Sequence, residues 1–226
     1  MTRSLVSVII PVWNREATLA AAIRSVRDQD YRPIEIIVVD DGSTDRSAEI
    51  ATSFAEVTCC RQPNRGAAAA RNAGIRRSSG ALVAFLDSDD VWLPGKLTAQ
   101  TEYLRAHPEA GYVVCRMKNV LAPGMAPPAW LNPDDLTVDP VSHSVCAMLV
   151  RRAVVEAVGP FDESYAIGED TDWFLRARDK GVQAASLDEV FLHRGIHEAN
   201  LSHGADRMRA AAMMKILRAS IERKRR

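Results

Sequence analysis

This 226-residue chain lacks the cysteine spacing of a zinc site. Its four cysteines, Cys59, Cys60, Cys115 and Cys146, form no Cys-x-x-Cys pair. Their scatter writes neither a zinc cage nor a disulfide framework, and it fits a reducing compartment. No apolar run approaches the roughly 20 residues that span a bilayer. The first strand pattern starts within five residues of the first methionine, which leaves no room there for a signal peptide. A soluble, cytoplasmic protein is expected. Net charge is also missing: 29 basic residues balance 29 acidic ones, so the chain as a whole makes no electrostatic case for nucleic acid. No internal repeat is visible. No Gly-x-Gly-x-x-Gly loop follows the first strand, where Pro11-Val-Trp-Asn14 stands instead. That argues against a dinucleotide dehydrogenase.

What is present is a 47% apolar composition, enough for a core, on a length that suits one α/β domain with a short appendage. Strand patterns at 5–12, 34–39, 57–61 and 81–86 alternate with helical patterns at 16–28, about 44–55 and 66–78, with Ser43 or Thr44 as the cap of the second helix. Such alternation predicts a mostly parallel, doubly wound sheet with helices on both faces. Further on, helices are expected at 94–106, 151–158 and 169–180, strands at 111–117, 144–150 and 182–193, and a terminal helix at 206–226. Residues 119–143 hold five of the eleven prolines and read as an irregular loop. Long loops in compact domains are usually functional, and Trp130 within this one is a candidate acceptor platform.

Three acidic groups carry the chemistry. Asp40 and Asp41 end the second strand, Asp87, Asp89 and Asp90 end the fourth, and Glu169 and Asp170 open a helix. Ligands of open α/β sheets sit beyond the carboxyl ends of the strands, so the first two groups should meet there. Two carboxylates one residue apart, as in Asp87-Ser-Asp89, can hold a divalent cation through oxygen with room left for phosphates. Each group also has a plainer explanation. Asp-Gly is a turn signal, an acid at a helix start complements its dipole, and an Asp-Ser-Asp can cap the helix beyond it. A receiver-type signalling domain needs its acid pair after the first strand, whereas here the pair follows the second.

Ser7-Val-Ile-Ile-Pro-Val-Trp-Asn14, Ile36-Ile-Val-Val-Asp-Asp-Gly-Ser-Thr-Asp45, Asn64-Arg-Gly-Ala-Ala-Ala-Ala-Arg-Asn-Ala-Gly74 and Phe85-Leu-Asp-Ser-Asp-Asp90 occur in that order. Gly159-Pro-Phe-Asp-Glu163, Gly168-Glu-Asp-Thr-Asp-Trp173 and His197-Glu-Ala-Asn-Leu-Ser202 follow. Together they resemble the family-2 glycosyltransferases of the GT-A fold. The resemblance spans about residues 4–203. It implies a nucleotide-binding half, 1–90, an acceptor half, 91–203, and a basic appendage, 204–226. It also implies a nucleotide-sugar donor, Mn²⁺ or Mg²⁺, and transfer to a hydroxyl with inversion.

Carried over by motif, Pro11, Val12 and Trp13 border the nucleobase, with Glu16 at the mouth of the same pocket. Asp40 holds the base or ribose, and Arg71 approaches the base. Asp87, Ser88 and Asp89 form the Asp-x-Asp segment, in which Asp89 and Asp87 meet the metal. His197, with His193 four residues before it, comes near the metal or diphosphate. Asp170 is the general base. Asp172 is its rival, turned away by about 200° on a helix. UDP is the preferred nucleotide. The chain lacks the Gln-x-x-Arg-Trp segment of processive relatives, so a single transfer is expected. The acceptor stays open among saccharides, lipid-linked saccharides, secondary metabolites and peptides. A non-catalytic nucleotide-sugar-binding module is the alternative.

From residue 204 onward eight basic and two acidic residues give a local charge of +6, so residues 1–203 carry −6. Met213, Ile216, Leu217 and Ile221 lie at helical spacing ahead of Arg223-Lys-Arg-Arg226. Such a helix packs on the domain or on a second subunit in a homodimer, or it touches an anionic membrane surface.

Overall fold

The computed structural model describes residues 3–128, 131, 136, 144–198, 200 and 206–225. Most of the Pro-rich loop, with Trp130, lies outside the described residues. Among the described residues eight strands, β1 Val6–Val12, β2 Ile34–Asp40, β3 Val57–Arg61, β4 Leu82–Phe85, β5 Val91–Trp92, β6 Ala110–Leu121, β7 Leu149–Arg151 and β8 Gln183–Ile196, form one sheet. Its order is β3-β2-β1-β4-β7-β6-β8-β5. The helices are α1 Leu19–Arg27, α2 Ser47–Thr52, α3 Ala67–Arg77, α4 Lys96–Ala106, α5 Arg152–Val158, α6 Glu169–Asp179 and α7 Asp206–Arg225.

β3, β2, β1 and β4 are mutually parallel. The chain winds outward from β1 to β3 and then returns across β1 to β4. Right-handed crossovers therefore put α1 and α2 on one face and α3 on the other. Residue alternation agrees: Ile37 and Val39 pack with Ala70 and Ala73 of α3, while Ile36 and Val38 join the main core with Leu19 and Ile23 of α1. The order reverses between β1 and β4, so the ligand crevice of this sheet belongs beyond the ends of those two strands.

α3 lies very close to β1. A Cβ on Gly74 would stand 2.3 Å from Ile9 Cγ2. The small residues of this segment thus serve the helix–sheet approach. Gly74→Ala should lower stability by about 1–3 kcal/mol, the cost of overpacking a filled core, measurable by urea unfolding.

The later strands depart from the simple alternation. β7 pairs antiparallel with β4 and β6, and β5 antiparallel with β8, whereas β6 and β8 pair in parallel. β5 has only two residues, too few for a periodic signal. β6 continues to Leu121, three residues into the stretch expected to be irregular, because β8 pairs with it as far as Ile196. The 144–150 segment is a 3-10 turn at Val145–Ala147 followed by the short β7. Trp92, Trp173 and Phe174 are buried core residues. No helix among the described residues is long and apolar enough to cross a membrane.

Candidate active site

The turns after β1 and β2 are laced together. Asn14, in the left-handed region at φ 50°, accepts the Thr44 N–H on Oδ1 at 2.8 Å. Its own N–H donates to Ser43 Oγ at 3.0 Å, and the N–H groups of Arg15 and Glu16 donate to Ser47 Oγ and Asp45 Oδ2 at 2.8 and 3.0 Å. Ser43 and Thr44 are thus used between loops, and it is Asp45 that accepts the Ser47 N–H at the start of α2, at 2.9 Å. This lacing fixes Trp13 at the end of β1, 47% exposed.

A cleft of about 600 Å³ opens at the predicted switch point. Pro11, Val12, Trp13 and Arg15 line it from β1, Asp87 to Asp90 from the β4 end, Arg71 from α3, and residues 163–170 from the far side. The structure brings Asp87, Ser88, Asp89, Arg71 and Asp170 together. Two candidates stand off. Glu16 is exposed and pairs with Arg46, its Oε2 3.3 Å from Nε. Asp40 is wholly buried, accepting the Ser43 N–H at 2.9 Å and facing Arg61 at 3.2 Å. Its neighbour Asp41 lines the cleft instead, where its carboxylate accepts the N–H groups of Arg65 and Gly66 and the Gln62 amide at 2.7–3.1 Å. The pair ends a strand, where successive side chains point to opposite faces, so the doublet alone does not say which acid faces the ligand.

Arg71 lines the cleft and is bridged to two acids. Its side chain is 5% exposed, with Nη2 2.7 Å from Asp87 Oδ1 and Nη1 2.5 Å from Glu169 Oε1. Burial works against charge on Asp87, yet Arg71 outweighs it and holds this carboxyl below its usual range. Asp170, half-buried beside this bridge, behaves oppositely. Burial first, and then the charge of Glu169, push it up to about 6 against the counter-pull of Arg71. Its Oδ1 accepts the Thr171 N–H at 2.7 Å. Asp172 faces inward, 3% exposed, its Oδ2 2.7 Å from Arg176 Nε. Gly168, in the left-handed region at φ 90°, turns the chain into α6 so that this acid-rich first turn meets the cleft.

Asp89 Oδ2 gathers three donors: His197 Nε2 at 3.0 Å, Arg15 Nε at 3.3 Å and Asn200 Nδ2 at 3.4 Å. β8 ends just before His197 and so delivers that histidine. His193, four residues earlier, lies within the strand, in register with Val91 and Lys118. Carboxylate and imidazole are ligand types that suit a hard divalent cation, and here Asp89 and His197 meet each other while Asp87 stands with Asp90 and Cys146. Asp90 and Cys146 lie close beneath Asp87, their ligating atoms and that of Asp87 within 4.8 Å of one another. Burial first, and then the charge of Asp87, raises both well above their usual values. Cys146 Sγ receives the Asp87 N–H at 3.3 Å.

Gly195 carries no sequence motif, yet it seats this loop. Its N–H donates to Asp90 Oδ1 at 3.0 Å, and a Cβ there would stand 2.3 Å from the Asp89 carbonyl oxygen. Gly195→Ala must push the Asp89 backbone away. The expected result is at least a tenfold loss in divalent-metal affinity, in the range of changes that misplace metal-supporting groups, read by titration calorimetry.

The switch-point cleft, lined by its paired carboxylates and by half-buried Asp170, belongs to an α/β fold of the GT-A type. The profile of the glycosyl transferase family 2 matches residues 7–154, and the chain belongs to that family. It is 31% identical over 215 residues to an uncharacterized glycosyltransferase of Rickettsia typhi, covering 89% of this chain and 67% of that one. It is likewise 31% identical over 220 residues to the glycosyltransferase AglE of Haloferax volcanii, covering 88% and 68%. Residues 1–349 of S. aureus TarS, in complex with UDP-GlcNAc, superpose with a TM-score of 0.77 at 21% identity, over 96% of this chain and 66% of that one. The mannosyltransferase PcManGT of Pyrobaculum calidifontis, in complex with GDP-Man and Mn²⁺, superposes with a TM-score of 0.75 at 23% identity, over 98% and 65%. The chain thus spans about two thirds of the length of these matched chains, and 38% of the longer TarS chain.

Proposed function

We propose that this chain transfers a single sugar from a nucleotide diphosphate to an acceptor hydroxyl, with inversion and with a divalent cation, Mn²⁺ or Mg²⁺. The observation that carries the reading is a single cleft lined by Asp87, Asp89 and Asp170, with the Asp170 carboxyl pushed up to about 6. The nucleobase lies against Pro11, Val12 and Trp13, over the turn that Asp41 pins. Asp87, Asp89 and His197 hold the cation, and Ser88 borders the diphosphate. When bound, the cation offsets the charge that grows on the departing diphosphate.

Asp170 takes the proton of the acceptor hydroxyl. The freed oxygen attacks the anomeric carbon from the face opposite the diphosphate, and the bond to the diphosphate oxygen breaks as the new glycosidic bond forms. One displacement inverts the centre and needs no protein nucleophile. Arg71 touches neither partner directly in this scheme. It bridges Asp87 and Glu169, and Asp170, pushed up to about 6, is the basic oxygen beside that bridge.

UDP-sugars are the preferred donor class. The complexes of the superposed proteins, one with UDP-GlcNAc and one with GDP-Man, support a nucleotide-sugar donor, and the choice of UDP rests on the family resemblance. Thermal-shift assays with UDP-, dTDP- and GDP-sugars, each with Mn²⁺ and with chelator, test donor and metal together. Metal-dependent stabilisation by the UDP-sugar is expected. No shift with any donor would overturn the reading.

A further inference from the structure

Among the described residues, seven large apolar side chains are exposed, and five of them, Met208, Met213, Met214, Leu217 and Ile221, lie on α7. The helix is nonetheless firmly seated. Its inner face buries Ile216 against Gly168, where a Cβ would stand 3.3 Å from Ile216 Cδ1. Ser220 Oγ and Arg223 Nε donate to Asp179 Oδ2 at 2.7 and 3.1 Å, and Lys215 Nζ lies 3.0 Å from Ser164 Oγ and 4.2 Å from the Tyr165 ring centroid. At 100° per residue, Met213, Leu217, Ile221 and Met214 fall within a sector of about 100° beside this inner face. Arg218 and Arg225, both exposed, follow along the outer edge of that sector.

We infer that α7 docks on a bilayer surface rich in anionic lipid. An apolar stripe edged by arginines on a fixed helix suits the boundary between acyl chains and acidic headgroups. The charge selects this occupant over a second copy. The segment from residue 204 onward carries +6, and an isologous contact would set two such segments against each other.

Position adds a consequence, which rests on the glycosyl-transfer reading above. Ser164, Tyr165 and Gly168, against which α7 packs, belong to the stretch that lines the cleft. A bilayer under α7 therefore lies beside the cleft mouth, and the acceptor class is a hydroxyl borne on a lipid headgroup.

The test is flotation of the full chain with vesicles of phosphatidylcholine alone and of phosphatidylcholine mixed with phosphatidylglycerol. Expected is flotation with the mixed vesicles only, lost in the double variant Leu217→Ser, Ile221→Ser and reduced in Arg218→Gln, Arg225→Gln. These side chains leave Ile216 and Ser220 in place, and an unchanged melting temperature confirms the fold. Recovery in the soluble fraction with both vesicle types would overturn the inference. So would a concentration-dependent dimer, seen by sedimentation, that the serine pair abolishes in a protein that does not float. For the acceptor, radiolabelled sugar from the bound nucleotide-sugar should enter the organic-extractable fraction of source-cell membranes. Label appearing only in water-soluble product would contradict that part. Donor thermal shifts are measured on the same preparations without vesicles, so failure of docking and failure of glycosyl transfer are read separately.

Discussion

Replacing Asp170 by Asn lowers kcat by about 10²–10⁴-fold, the usual contribution of a positioned general base, and leaves donor-induced thermal stabilisation in place. The amide keeps the shape of the side chain and can still accept the Thr171 N–H, but it cannot take a proton at neutral pH. The pH profile supplies a second readout. With Asp170 raised to about 6, kcat/KM of the wild type should climb as pH rises through that value, because only the ionised form is a base. The variant's residual activity should lack that limb. Stability moves the other way. The folded value lies above that of a free carboxyl, so the folded state binds this proton more tightly, and stability falls as pH rises from the ordinary carboxylate range through about 6. Above pH 6 the asparagine variant should therefore melt at or above the wild-type temperature, which separates lost chemistry from lost fold. Unchanged turnover in a folded Asp170→Asn protein would remove the base from this residue and favour a module that only binds nucleotide-sugars.

Arg71→Met should have the largest effect on stability. The substitution removes one buried cation from between Asp87 and Glu169 and leaves three neighbouring acids, with Asp170, without their shared counter-charge. Breaking a buried pair by deleting one partner costs about 3–5 kcal/mol, which in a domain of this size lowers Tm by roughly 10 °C. Arg71→Lys should restore only part of this, since one ammonium cannot bridge two carboxylates as the guanidinium fork does. Donor and metal affinity should also fall, because Asp87 loses the partner that keeps it ionised. A Tm within a degree or two of wild type would mean that the Asp87–Arg71–Glu169 bridge is not a supporting element.

The parallel half of the sheet was legible because β1, β2 and β4 are apolar runs, and β2 and β4 lead into acids. The Asp-Ser-Asp segment was legible as a metal-binding candidate for the same reason, since a carboxylate pair at a strand end has few other uses inside a crevice. Three features were hidden for different physical reasons. The choice between Asp40 and Asp41 depends on which way the chain turns after β2, and the lacing of Asn14 to Ser43 and Thr44 decides that turn. The direction of Arg71 depends on a partner 98 residues away, Glu169. Gly195 depends on the close approach of β8 to the Asp89 carbonyl, which no local pattern records. β5 was missed because two residues hold no period, and the end of β6 because strand pairing with β8 outweighs composition at residues 119–121. Each of these is a long-range contact overriding a local signal.

The central claim is that a divalent cation bridges Asp87 and Asp89 to a donor diphosphate across from Asp170. Crystals grown with Mn²⁺ and an unhydrolysed UDP-sugar analogue test it directly through the anomalous signal of manganese. The account predicts a single peak in contact with both carboxylates and the diphosphate, with the Asp170 carboxylate on the opposite side of the anomeric carbon. Manganese bound elsewhere, or a diphosphate bound with no metal and no contact to residues 87 and 89, would contradict it.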